Sequence, residues 1–260
     1  MARAKTTDKT SELVIEELRK GHVAFWIKGT SPMIYHAMSA PTKRVLLNPP
    51  GRKTTVEKQQ SVKHDPLNEY RYSVYRRRGD GPTRLVVPAT MLKAAMCNAA
   101  LEVPGAKKTQ IGRLVWIVGD QIDVYGIPEM FMATVRNSDM NHTPDVRTRA
   151  ILPEWCCKVE IEFVAPTLNE VGISRLLATA GVVMGIGDFR QGKGAGNYGC
   201  FEIVNEADVK AIIKSGGTKA QDDALETPGF YDADTEELYT WFTEEVEHRG
   251  QTKQLKSRVA

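Results

Sequence analysis

Apolar and polar positions alternate along residues 157–164 (CKVEIEFV), the period-two signature of a strand with one face buried. Residues 22–27 (HVAFWI) are β-branched and aromatic enough to form another strand. Residues 84–88 give a short strand ending at Pro88, and a helix follows from Ala89 or Thr90, with Met91, Leu92, Ala95, Met96 and Ala99 at helical spacing. Residues 111–125 read as a strand or hairpin with a turn at Gly119-Asp120, and residues 169–184 as an apolar-faced helix. Residues 11–20 (SELVIEELRK) carry a Ser start, early acids, late bases and Gly21 beyond them, the start and stop marks of a helix. Short helices are expected over 208–215 and over 235–247, the latter around Leu238, Trp241, Phe242 and Val246.

Strand, helix, glycine-rich loop and strand together predict an α+β, ferredoxin-like antiparallel sheet with helices on one face. The expected layout is a tail and helix over 1–21, a core over 22–204 with a large basic insertion at 41–82, and an acidic C-terminal extension over 205–260.

Charge sharpens this picture. Residues 202–248 hold thirteen acidic residues against three basic ones, which leaves the rest of the chain near +13 within a total of +3. A basic body points to a polyanionic partner. Cys97, Cys156, Cys157 and Cys200 form no CxxC pair, so reduced thiols are expected rather than a disulfide frame or a zinc site. The N-terminal residues have no apolar signal core and no apolar run is long enough to span a bilayer, so a cytoplasmic protein without a membrane partner is expected.

Two stretches carry candidate chemistry. Residues 182–203 place six glycines between a helix and a strand, with Arg190 and Lys193 inside the loop and Phe189 and Tyr198 offering flat faces for bases. Successive glycines can free amides to face an anion. The order helix, loop, strand is the reverse of a dinucleotide fingerprint, which argues against a nucleotide cofactor; none is expected. The insertion interleaves Arg52, Lys53, Arg71, Arg76 and Arg77 with Tyr70, Tyr72 and Tyr75, the cation-and-ring composition of a single-strand groove. Its Asp65, beside His64, is a weak catalytic candidate, since an Asp before Pro usually serves as a turn or cap. Residues 130–149 read as a loop bearing Arg136, Arg147 and Arg149, and His142 has no metal partner at ligand spacing. Lys93, near the start of its helix, is unfavourable for the helix dipole and would welcome an anion.

LVVPATMLKAAMCNA and GIGDFRQGKGAGNYGCFEI, in that order, resemble the strand–proline–helix motif and the C-terminal glycine-rich loop of the RAMP superfamily of CRISPR-associated RNA-binding proteins. The layout is similar to that of the backbone subunits that coat guide RNA, although Ala89 and Ala94 stand where the family usually has glycine. The resemblance implies an RRM-like core and sequence-independent binding of single-stranded RNA, or single-stranded DNA by adaptation. Lys28, Lys93, Arg190 and Lys193 would hold phosphates. It further implies head-to-tail self-assembly into an oligomer or filament, contact with other CRISPR effector subunits, and a possible phage or mobile-element origin in a bacterial host. Two other roles stay open: an endoribonuclease using Asp65, and a mimic of a CRISPR subunit that blocks effector assembly.

Overall fold

The computed structural model describes residues 17–48, 64–136, 143–192 and 196–259. The first strand, β1 (Arg19–Gly29), starts earlier than its apolar run suggested: Arg19 and Lys20, expected at the end of a helix, already pair with Ala165 and Val164. The expected helix over residues 11–16 lies outside the described residues. β1 runs antiparallel to β9 (Cys156–Ala165) along almost its whole length, and β10 (Phe201–Val204) pairs with its other edge at the Gly29 end.

The neighbour of β9 on its far side is one strand in two pieces, β5 (Val115–Ile117) and β6 (Gln121–Tyr125). The turn at Gly119 exists, with φ of 79°. It interrupts the strand without reversing it, because both pieces run antiparallel to β9. β4 (Leu85–Pro88) and the two-residue β3 (Tyr75–Arg76) extend the sheet beyond β6.

Two helices close the plan. α3 (Ala89–Ala99) begins directly after Pro88, and α5 (Glu170–Val183) is capped by Asn169, whose side chain accepts from the Gly172 amide. Their Leu92, Met96, Ile173 and Leu177 bury against Ile27, Val159 and Ile161 from one face of the sheet. Across the sheet the strands run β10, β1, β9, β5/β6, the ferredoxin-like and RRM-like order that the alternating elements predicted.

The open face is not bare. α6 (Glu206–Ser215), started by an Asn205–Asp208 capping box, sets Val209 and Ile212 on Cys156, Trp26 and Tyr125. Helices therefore sit on both faces, because the C-terminal segment carries its own apolar stripe. α7 (Thr218–Glu226), unmarked by strong sequence signals, follows. Its buried Gln221 accepts from the amides of Arg84 and Leu85 and donates to the carbonyls of Val124, Gly126 and Gly216. Residues 206–226 are thus integral to the body.

A second sheet grows from the root of the core. β7 (Glu129–Arg136) and β8 (Pro144–Leu152) form a hairpin where the sequence predicted a loop; His142 lies outside the described residues. The alternation there is blurred by Asp145, Arg147 and Arg149 at alternate positions on one face, which is why the sequence reads as irregular. β11 (Gly229–Phe230) lies parallel to β7, and β2 (Met33–Ile34) pairs with the end of β8. Within the insertion α1 (Ala40–Leu47) and α2 (Pro66–Ser73) are helical. α2 lines the open edge of β8, where Ser73 Oγ takes up the Ala150 amide at 2.8 Å. The last helix, α8 (Ala233–Val259), packs on β7 and β11; Thr235 Oγ1 accepts from the Met132 amide. α4 (Lys108–Leu114) leads into β5.

Candidate nucleic-acid interface

The glycine loop leaves α5 and folds back on itself. Gly187, with φ of 88°, brings the backbone so near β2 that a Cβ would lie 2.7 Å from the Ile34 carbonyl. Its amides are largely spent inside the protein: Ile186 N donates to Gly199 O, Asp188 N to Ile34 O, Gly192 N to Met184 O and Gly199 N to Pro32 O. Among the described residues these glycines serve close packing. Among the described residues the predicted anion-facing row of amides is not formed, because turns within the loop and the carbonyls of Pro32 and Ile34 consume those donors.

What the loop presents outward is side chains. Phe189 is 52% exposed and holds φ of 50°, a left-handed conformation that a bulky residue rarely adopts. Its ring lies 6.0 Å from that of Tyr198, whose ring is 6.4 Å from Phe131 on β7; Phe131 meets Tyr231 edge-on at 5.5 Å. Arg190 Nη1 donates to Gly187 O at 2.7 Å and braces the turn.

An ion pair fixes the loop to the second sheet. Arg149 Nη1 lies 2.6 Å from Asp188 Oδ2, with both side chains mostly buried. Burial pushes the Arg149 guanidinium below its ordinary value, and the Asp188 carboxylate opposes that shift. In the antiparallel register Phe131 faces Arg149 and Ala133 faces Arg147, so both arginines share the hairpin face that meets the loop. Arg147 and Arg149 also line a cleft of about 630 Å³ together with His36, Ser39, Tyr72 and Tyr75. The loop and the insertion, far apart in sequence, thus adjoin around β8.

The other candidates fall into several places. Asp65 caps α2, accepting from the Asn68 amide at 3.2 Å and from Asn68 Nδ2 at 2.7 Å. His64 bridges Glu69 at 2.8 Å and Asp145 at 3.1 Å, tying α2 to β8. Tyr70 is buried, its hydroxyl donating to the carbonyls of Pro128 and Ala224, and burial raises its pKa far above the ordinary phenol value. Arg77 is ion-paired with Asp123, which neutralises a charge expected to meet phosphate. Arg76 lies on edge strand β3 and donates to the Arg71 carbonyl. Arg136 is exposed at the end of β7. Lys28 lies on the sheet face that α6 covers, beside Cys156, whose thiol burial pushes up to about 12. Lys93 does not join the loop; its ammonium lies 5.9 Å from the Trp116 ring centre. Arg52, Lys53 and Lys193 lie outside the described residues. The cysteines are unpaired. No helix among the described residues is long and apolar enough to cross a membrane.

Sequence reasoning missed Phe131, Tyr231 and His36. The spacing of Arg147 and Arg149, two apart with an alternating partner strand at 129–136, was the available signal for a two-faced hairpin.

The surface belongs to an α+β protein of ferredoxin-like plan whose glycine loop and inserted hairpin form one face. No family model matches the chain, and no curated protein matches it. Among solved structures, it is similar to a chain in the cryo-EM structure of the Type III-B Cmr-beta bound to cognate target RNA, with a TM-score of 0.35 and 13% identity. That likeness covers 72% of this chain and 59% of the other, so the chain spans less than two thirds of its structural neighbour.

Proposed function

We propose that the protein binds single-stranded nucleic acid without regard to sequence and without cleaving it. The strand lies across the glycine loop and the outer face of the β7–β8 hairpin. The observation that carries this reading is the Arg149–Asp188 pair, which seats exposed Phe189 and half-buried Tyr198 against a hairpin face bearing Phe131 and Arg147 beside an open cleft. Rings supply sequence-tolerant stacking, and Arg147 and Arg190 supply charge for phosphates; Arg136, exposed at the strand end on the other face of β7, and Arg52, Lys53 and Lys193 are further candidates. Asp65 is committed to capping, so the proposed role has no cleavage step. The motif resemblance to guide-coating RAMP subunits supports copies aligned head to tail along the strand, as in a CRISPR-type backbone.

The test is titration of the purified chain with single-stranded RNA, single-stranded DNA and duplex at two salt concentrations, read by affinity and particle size. Tight, salt-sensitive, single-strand-selective binding is expected, and whichever polymer binds more tightly names the ligand. Absence of binding to every strand overturns the reading.

A further inference from the structure

Lys93 and its surroundings form a cluster that the glycine-loop surface does not use. Lys20 on β1 and Lys93 on α3 converge on one indole, 5.8 and 5.9 Å from the Trp116 ring centre. Glu162 Oε2 lies 3.0 Å from Lys20 Nζ and offsets part of that lysine's charge, so the two ammonium groups are incompletely balanced by one carboxylate. Lys93 is half-buried, and its ammonium lies over the indole. Trp116 is 38% exposed. Converging like charges repel one another, and an anion placed among them removes that cost. An open indole face between cations also accepts a base. Phosphate to the ammonium groups and base to the ring is the chemistry of one nucleotide step.

Trp116 and Lys20 lie well away from the loop, whereas the helix that carries Lys93 meets it two residues earlier, where Met91 Sδ accepts from the Gly187 amide. Lys20 and Gly29 are nine residues apart on β1, about 30 Å at roughly 3.3 Å per residue. The glycine loop is laced to the Gly29 end, where Thr30 N donates to Cys200 O and Gly199 N to Pro32 O. We propose that Trp116, Lys20 and Lys93 form a second binding point for single-stranded nucleic acid at the opposite end of the main sheet. This rests on the reading above that the polymer is a single strand, and it assigns Lys93 to a place on that strand separate from Arg190.

The test uses the full chain and a strand of about 16 nucleotides, within the range that single-strand-binding folds cover. Affinity is measured across salt for the wild type, the Lys20→Gln/Lys93→Gln double variant and Phe189→Ala, and strand-induced quenching of tryptophan emission is compared with Trp116→Phe, which keeps the apolar packing. Thermal melts check that the variants fold. The double variant is expected to lower the slope of log affinity on log salt by about 1.4, or about 0.7 for each phosphate that a lysine no longer neutralises. Trp116→Phe is expected to lose most of the quench. If either the slope or the quench is unchanged while Phe189→Ala weakens binding, the second binding point is overturned and the loop reading stands. If the wild type binds no strand, both fall.

Discussion

Phe189 occupies a backbone conformation that costs a non-glycine residue roughly 1–2 kcal/mol. That cost is borne by the residue with the most open ring on the proposed surface, which is where strain is informative. Phe189→Ala and Phe189→Gly both remove the ring, so both are expected to weaken single-strand binding by roughly 1–3 kcal/mol if one base stacks there. They should differ in stability. The glycine variant is expected to unfold at higher denaturant than the alanine variant by about 1–2 kcal/mol, since only glycine is at ease at that φ. Equal stabilities would show that the loop relaxes and holds no strain. Asp65→Ala is expected to cost about 1 kcal/mol in a denaturant melt through the lost cap, with strand binding retained. The sequence made that role legible, because Asp before Pro sets up a helix start. The left-handed φ of Phe189 was illegible, since it goes with the close approach of Gly196, where a Cβ would collide with the Phe189 carbonyl, rather than with Phe189 itself.

At the level of elements, the strands and helices with a clean period were legible: β9, α3 and α5 fall within a residue or two of where their apolar spacing placed them. The hairpin was not, because the face that carries Phe131 also carries Arg147 and Arg149, which masks the alternation although Met130, Thr148, Ala150 and Leu152 are buried on the other face. α7 was missed for a related reason. It buries only Ala224 and Leu225 among its apolar residues and is held largely by polar contacts centred on Gln221, a role that leaves little trace in hydrophobic pattern. Gln221→Leu preserves volume but strands two amides and takes the Gln221 donor from the carbonyls of Val124 and Gly126, while the Gly216 carbonyl keeps the Gly126 amide. At roughly 1–3 kcal/mol for each unsatisfied buried group, a loss of at least about 3 kcal/mol is expected in a denaturant melt. A loss under about 1 kcal/mol, the lower end for a single such group, would mean that α7 is held by its apolar packing instead.

For the whole molecule, the charge asymmetry read from the sequence acquires a geometry. α1 emerges beside β2, at one edge of the second sheet, and α8 follows β11, at the other edge. α1 buries none of its residues: Lys43 and Arg44 precede Val45, Leu46 and Leu47, and Leu47 is 86% exposed. Between Ala233 and Arg249, α8 carries six acidic residues against Arg249, and its Trp241 is 60% exposed. Basic and apolar at one edge, acidic and apolar at the other, is what a head-to-tail contact between copies needs, and such a contact generates open chains when its rotation does not close a ring. Particle mass in light scattering is therefore expected to rise with strand length. Leu46→Asp/Leu47→Asp should abolish that growth, because it places carboxylates against the acidic helix of the next copy. Affinity for a strand short enough to hold one copy should be unchanged, since Leu46 and Leu47 line neither the cleft nor the loop. If the double variant still grows on long strands, copies meet through another surface; if it loses short-strand affinity as well, α1 belongs to the strand-binding face.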